Sequence, residues 1–217
     1  MSPDIIGLLA DSLAETIYMV AVSALIATLA GIPLGVVLVT TSRGHIMENR
    51  KLNAILGAVV NATRSTPFII LMVAIIPLTR LLVGTSIGTN AAIVPLAIAA
   101  TPFLGRIVEA AIREVDPGVV EAAQAMGASP LQIINKVLIP EALPSIVLGI
   151  TITVVSLISF SAMAGAVGGG GLGDLAIRYG YQRFRPDVML ATVVILIATV
   201  QLVQSGGDYL ARRLTKR

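Results

Sequence analysis

Glu121-Ala-Ala-Gln-Ala-Met-Gly-Ala-Ser-Pro-Leu-Gln-Ile-Ile-Asn-Lys-Val-Leu-Ile-Pro140 is a polar, punctuated island between two long apolar stretches. Its punctuation spells two short helices joined by a glycine corner. Asp116-Pro117 supplies an N-cap and a first-turn proline, and Gly127 can take the left-handed conformation that stops the first helix. Ser129-Pro130-Leu131-Gln132 opens a second helix as a capping box, and Pro140 is expected to limit it. A chain embedded in lipid gains nothing from so well-defined a corner unless something docks on it. The first helix would present Val119, Val120, Ala122, Ala123 and Met126, small alanines allowing close backbone approach and Glu121 offering a charge to a basic partner. An amphipathic helix lying on lipid would carry Lys or Arg on its polar face; this one carries Glu121 and Gln124.

Composition sets the class independently. Apolar residues make up 56% of 217 positions and charged residues 12%, against roughly 25% charged in soluble domains. The chain is therefore read as an all-α integral membrane protein. There is no cysteine, which excludes disulfides and thiolate metal sites. A net charge of +3 spread among apolar spans gives no reason to expect a nucleic-acid partner. No basic n-region or small-residue cleavage site opens the chain, so the first apolar stretch is expected to be a permanent span.

About 20 apolar residues cross the hydrocarbon core, which locates about five spans. The first is Thr16 to Ser42. The second lies between Lys51 and Leu82 and is interrupted by Arg64. The third falls within Leu81 to Gly105, starting near Gly88 or Thr89; the fourth lies within Ala142 to Gly173, and the fifth is Val188 to Gly207. Within the second, Leu52, Ile55, Leu56, Val59 and Val60 recur at helical spacing opposite Asn53, Gly57 and Asn61. That pattern suits either an interfacial amphipathic helix or half of a span buried against protein.

Basic residues orient the bundle. Arg43, Arg50 and Lys51, then Arg106, Arg113 and Lys136, then Arg212, Arg213, Lys216 and Arg217 fall on one side of a five-span chain. The N-terminal segment holds Asp4, Asp11 and Glu15 and no Lys or Arg. The elbow and C-terminus are thus expected in the cytoplasm and the N-terminus outside.

Several chemistries are not encoded. No G-x-x-x-x-G-K-[ST] loop is present, so energy from nucleotide must come through another chain. Gly168-Gly-Gly-Gly-Leu-Gly173 has no following lysine and is read as a tight turn or close-packing element. His45, the lone histidine, is read as a solvated loop residue, and Asp4, Asp11 and Glu15 as unconstrained. No catalytic, cofactor-binding or metal-binding constellation emerges. A proton- or sodium-driven transporter would carry midplane carboxylates and commonly repeated halves; the apolar cores of spans one, three, four and five contain neither Asp nor Glu, and five spans cannot form equal halves. A non-transporting scaffold would not need the elbow.

Glu121-Ala-Ala, three residues, Gly127, nine residues, then Val137-Leu138-Ile139-Pro140 resembles the EAA loop of bacterial ABC-importer permeases, with the family's Ile-x-Leu-Pro ending conservatively altered. Asn61-Ala-Thr-Arg-Ser-Thr-Pro-Phe-Ile-Ile70, Val83–Gly88, Ala92–Leu96, Met126–Pro130 and Ser161–Gln182 resemble the methionine-importer permeases in particular, over nearly the whole chain. The resemblance implies a type I ABC importer permease fold with a cytoplasmic coupling-helix elbow, in the bacterial inner membrane. On it, residues 1–15 are a periplasmic N-terminal segment and 16–210 a single transmembrane domain with its coupling loop at about 112–140. Residues 211–217 are a cytoplasmic basic tail. Glu121, Ala122, Ala123, Gly127 and Pro140 fall on the ATPase-coupling motif. The implied partners are a second copy of the chain, a cytoplasmic ABC ATPase dimer, a periplasmic methionine-binding lipoprotein and membrane lipid. The implied cargo is L-methionine, D-methionine and analogues; another small amino acid is the alternative. Too few spans are present to enclose a path alone, and Gly31 and Gly35 permit close helix packing, so a two-fold homodimer is expected.

Two positions stand out for the path. Arg64 is the costliest residue to place near a span, and either snorkels to the cytoplasmic interface or faces the pathway. Met163, beside Ser161, projects from a wall of small residues as either packing filler or a gate.

Overall fold

The structure, a computed structural model, describes residues 3–215, so Lys216 and Arg217 of the basic tail lie outside the described residues. The first helix, α1 (Pro3–Thr40), is far longer than its apolar stretch. Hydropathy reports where lipid contact can begin, not where a helix begins. Pro3 is tolerated in a first turn, and nothing between it and Thr16 breaks the backbone hydrogen-bond ladder. At 1.5 Å per residue α1 is about 57 Å long, well beyond a hydrocarbon core of roughly 30 Å.

The second span is broken. Asn49 caps α2 (Arg50–Ser65) by accepting the Leu52 N–H at 3.1 Å. Thr66 is extended, as a residue before proline prefers, and Pro67 opens α3 (Phe68–Ala74). The two axes differ by 106°, and α4 (Ile76–Val83) follows after Ile75. Of the two arrangements open to α2, its polar stripe faces protein. Asn53 Nδ2 donates to the Leu38 carbonyl (2.6 Å) and to Thr41 Oγ1 (3.1 Å). The Arg106 guanidinium donates to the Gly57 carbonyl (3.2 Å) and Asn61 Oδ1 (2.9 Å). Leu52, Ile55 and Val59 face outward.

α5 (Thr89–Arg113) is the central helix and lies along α1. In lipid this pairing draws on close packing rather than on water exclusion. A Cβ on Gly35 would lie 2.6 Å from the Gly105 carbonyl oxygen and 2.6 Å from Val108 Cβ, and one on Gly31 would lie 3.0 Å from the Thr101 carbonyl oxygen. Gly31 and Gly35 therefore seat α1 on α5 of the same chain, which removes them as an argument for pairing between chains.

After α6 (Pro117–Ala125) and α7 (Pro130–Ile133), a π-helical turn, Ile134–Leu138, leads directly into α8 (Ile139–Ala166). Pro140 does not end the helix as expected. The ladder shifts to i→i−5 just before it, with the Ile139 N–H reaching the Ile134 carbonyl, and the wider turn accommodates the missing proline N–H. Pro130–Ala166 is consequently one long helical run. The short α9 (Gly171–Leu175) and a second π-helical turn, Ala176–Tyr181, precede α10 (Pro186–Leu214). α10 carries Arg212 and Arg213 as part of its last turn, so residues 211–214 of the basic tail are helix. Among the described residues four helices are long and apolar enough to cross a membrane, and the spans number five when the bent pair α2–α3 is counted as one.

Candidate functional site

The elbow is fixed at three joints that its sequence advertises, Asp116, Gly127 and the Ser129–Gln132 box. Asp116 Oδ1 accepts the Gly118 N–H at 2.7 Å. Gly127 sits at φ +78°, where Cβ-bearing residues are disfavoured. Around it the Gly127 N–H donates to the Gln124 carbonyl (2.9 Å) and the Ala128 N–H to the Ala123 carbonyl (3.1 Å). Ser129 and Gln132 form both halves of the capping box, with the Ser129 N–H donating to Gln132 Oε1 at 2.8 Å.

These joints sort the elbow's side chains by face. Ala123 is buried in the core formed by Val115, Ile133 and Leu138, and Val120 packs against the same core. Neither is presented outward as the sequence suggested. Val119, Ala122 and Met126 are exposed, Met126 by 82%, and Leu131 joins them at 67%. Glu121 is exposed and makes no ion pair among the described residues. The corner thus presents an 82% exposed methionine, a side chain that adapts to irregular contacts, on the same short helix region as the exposed Glu121 carboxylate.

The loop after α1 completes this end. It folds back through the Met47 N–H to the Thr40 carbonyl (3.0 Å) and the Asn49 N–H to the Thr41 carbonyl (2.9 Å). That brings His45 into a cleft of about 380 Å³ with Arg113, Glu121 and Gln124. His45 is thus not the solvated residue expected from its polar neighbours. Its Nδ1 is buried and has no hydrogen-bond partner among the described residues, and burial, then the Arg113 charge, holds its pKa below the usual imidazole value. Beneath it, Glu109 is buried between Arg106 (2.5 Å) and Arg113 (2.9 Å), linking the elbow end of α5 to α2 through Arg106.

At the opposite end, the glycine run is a junction. Gly168, Gly170 and Gly171 all have positive φ. The Gly171 N–H donates to Glu15 Oε2 (2.6 Å) and the Leu172 N–H to Thr16 Oγ1 (2.9 Å). The Gly88 N–H meets the Gly168 carbonyl at 2.8 Å. The run is structural, as read, but Glu15 is constrained, contrary to expectation: it locks α1 to the loop after α8.

The chain as a whole is similar to known proteins. The family described as binding-protein-dependent transport system inner membrane component matches residues 27–216. The chain belongs to this family. The probable D-methionine transport system permease protein MetI of Vibrio cholerae serotype O1 is 60% identical, over 94% of this chain and 90% of its own length. The protein of the same description from Pasteurella multocida is 46% identical with both chains fully covered. A solved structure described as inward facing conformations of the MetNI methionine ABC transporter superposes with a TM-score of 0.98 at 48% identity, covering 100% of both chains. The bundle is thus the type I ABC importer permease fold, and the permease is a transport subunit of the inner membrane rather than an enzyme.

Within this permease the three positions expected near a path separate. Ser161 is buried inside the protomer, and its hydroxyl donates to the Ile158 carbonyl at 2.7 Å. Met163 remains 39% exposed on the same helix. Arg64 is exposed at the α2–α3 corner, near Ala99 and Phe103 in the middle of α5 rather than at its elbow end. Among the described residues Arg64 has no salt-bridge partner.

Proposed function

We propose that this permease carries methionine, in both L- and D-forms, inward across the membrane, driven by a separate ATPase. The names of relatives sharing 60% and 46% of its residues support the cargo. The observation that carries the mechanism is the elbow, braced by caps and by the buried Ala123 while Met126 and Glu121 stand free. A cytoplasmic motor can move a bundle only through a rigid element joined to its spans. α6 meets that need, because α5 and α8 leave its two sides with few intervening residues.

In this reading Glu121, Ala122 and Gly127 form the contact with the ATPase, while Ala123 and Pro140 fix the helix that delivers it. Two copies of the permease enclose the path, with an ATPase dimer below and a methionine-binding lipoprotein above. The basic residues of the loops support an orientation with the elbow and C-terminus in the cytoplasm and the N-terminus in the periplasm. Met163, exposed on α8, narrows the path as a gate, and Arg64 faces it. Ser161 serves packing.

The test is growth of a methionine auxotroph lacking other methionine importers. Supplied with this permease and its ATPase and binding protein, cells should grow on micromolar D-methionine. Failure to grow, with all three proteins in the membrane fraction, would overturn the cargo assignment.

A further inference from the structure

The corner between α2 and α3 lines, with α5 and α8, an open-sided cavity of about 240 Å³. We infer that this cavity is a binding site within the permease itself for a zwitterionic amino acid with an apolar side chain. The inference rests on the importer reading and adds to it a site at which cargo pauses during transit.

Its walls divide by chemistry. Arg64 brings a guanidinium without an ion-pair partner among the described residues. Arg64 is exposed beside the middle of α5, where an unpaired cation facing lipid would be costly and one facing a ligand or a watery path would not, and a guanidinium matches a carboxylate in charge and in planar geometry. Thr63 and Thr66 flank it. Each hydroxyl donates its single proton to its own helix, Thr63 to the Val59 carbonyl (3.0 Å) and Thr66 to the Ala62 carbonyl (3.1 Å). What remains on each oxygen is lone pairs, so both can only accept, which suits an ammonium group. They also lie at the C-terminal end of α2, where the helix dipole favours positive charge.

The remaining wall is aromatic. Phe68 and Phe160 stack with centroids 4.8 Å apart and planes within 9°, and Phe103 and Leu71 complete the lining. A carboxylate-binding cation and two acceptors on one side of an apolar, aromatic wall are the complement of a free amino acid with an apolar side chain. A thioether gains further from sulfur–ring contact. The volume is smaller than the roughly 300–1,000 Å³ typical of drug-sized pockets and on the scale of a single amino acid. The position agrees with transport physics. Ala99 and Phe103, which line the cavity, sit near the middle of the 25-residue α5, and transporters commonly form cargo sites where a span is interrupted near the midplane.

The experiment measures equilibrium binding of labelled methionine to the purified permease–ATPase complex without binding protein, alongside ATP-driven uptake by the full system. Competition comes first, because it needs no variant. Unlabelled methionine and norleucine should displace the label, methionine better by about 2- to 10-fold. Methioninol, lacking the carboxylate, should be weaker by about 10- to 100-fold. Arg64→Gln should weaken methionine binding by a similar factor, leave methioninol unchanged and raise the KM for uptake, with the complex still assembled. Thr66→Val and Phe103→Ser should weaken binding separately. Equal competition by methionine and methioninol, or unchanged binding and KM in Arg64→Gln, would overturn the site while leaving importer function standing. Binding with these preferences but no uptake by the unaltered system would uphold the site and overturn the importer reading.

Discussion

Replacing Gly127 tests whether the elbow transmits force. Gly127 holds φ +78° and an added Cβ there would meet nothing within 4 Å, so any penalty comes from the backbone alone. Forcing a Cβ-bearing residue into that region costs about 1–2 kcal/mol, and a β-branched residue sits at the upper end of about 1–3 kcal/mol. If valine instead drives φ negative, the Gly127 N–H bond to Gln124 and the Ala128 N–H bond to Ala123 are both lost. At about 0.5–1.5 kcal/mol each, the cost is comparable or larger. Either route loosens α6 relative to α7 without touching a span. Asparagine tolerates the left-handed region and should behave nearly as glycine. Uptake of labelled methionine, ATPase retention on affinity purification and membrane abundance would be measured for the series Asn, Ala, Val. Abundance should stay constant while uptake and retention fall in that order, valine losing most of both. Full coupling in Gly127→Val, or equal failure of Asn and Val, would refute the role of the conformation.

Glu121→Lys reverses the charge of the elbow carboxylate, unpaired among the described residues, and should weaken ATPase association by about 1–3 kcal/mol, roughly 5- to 150-fold, measurable by titrating detached ATPase. The adjacent glycines of α10 should respond with opposite signs. Gly206→Ala meets open space and should raise thermal stability by about 0.5–1 kcal/mol of helix propensity, whereas a Cβ on Gly207 collides with Thr151 and should cost about 1–3 kcal/mol; thermal unfolding of the detergent-purified protein checks both. His45 has a folded pKa below its usual value of 6.5, so the unfolded loop binds its proton more readily. The loop's stability is therefore full above about pH 6.5 and falls as the pH drops through that value toward the folded pKa. Amide protection factors across residues 41–49, which remove the slower intrinsic exchange at lower pH, should fall from pH 7.5 to pH 5.5, and His45→Asn should flatten that response. Because the chain has no cysteine, single introduced cysteines report sidedness: Ser86→Cys should react with an impermeant reagent from outside intact cells and Ser129→Cys should not.

What the sequence made legible was local. The Asp116 cap, the Gly127 corner and the Ser129–Gln132 capping box depend on residues within four positions of each other, and all three stand as read. The spans followed from apolar length. The remainder required partners distant in sequence. Glu15 binds Gly171, 156 positions away, and His45 is covered by α5 and α6 through a loop whose polar composition argues for exposure. Gly31 and Gly35 signalled close packing correctly but could not say against which helix. Pro140 misled because a one-residue widening of the helix absorbs it. The inward-facing members of the elbow, Val120 and Ala123, were indistinguishable from outward ones until α7 and the π-helical turn lay beneath them. The aromatic lining of the α2–α3 corner draws on α3, α5 and α8, and no local pattern announces such a meeting.

The most direct measurement of the central claim is methionine uptake into proteoliposomes holding this permease with its ATPase, the nucleotide sealed inside and the binding protein outside. Accumulation of labelled L- and D-methionine against a gradient, with loss on omission of ATP or of the binding protein and in Gly127→Val, is the predicted result. Accumulation that persists without ATP, or none with all components present and the ATPase bound, would contradict it.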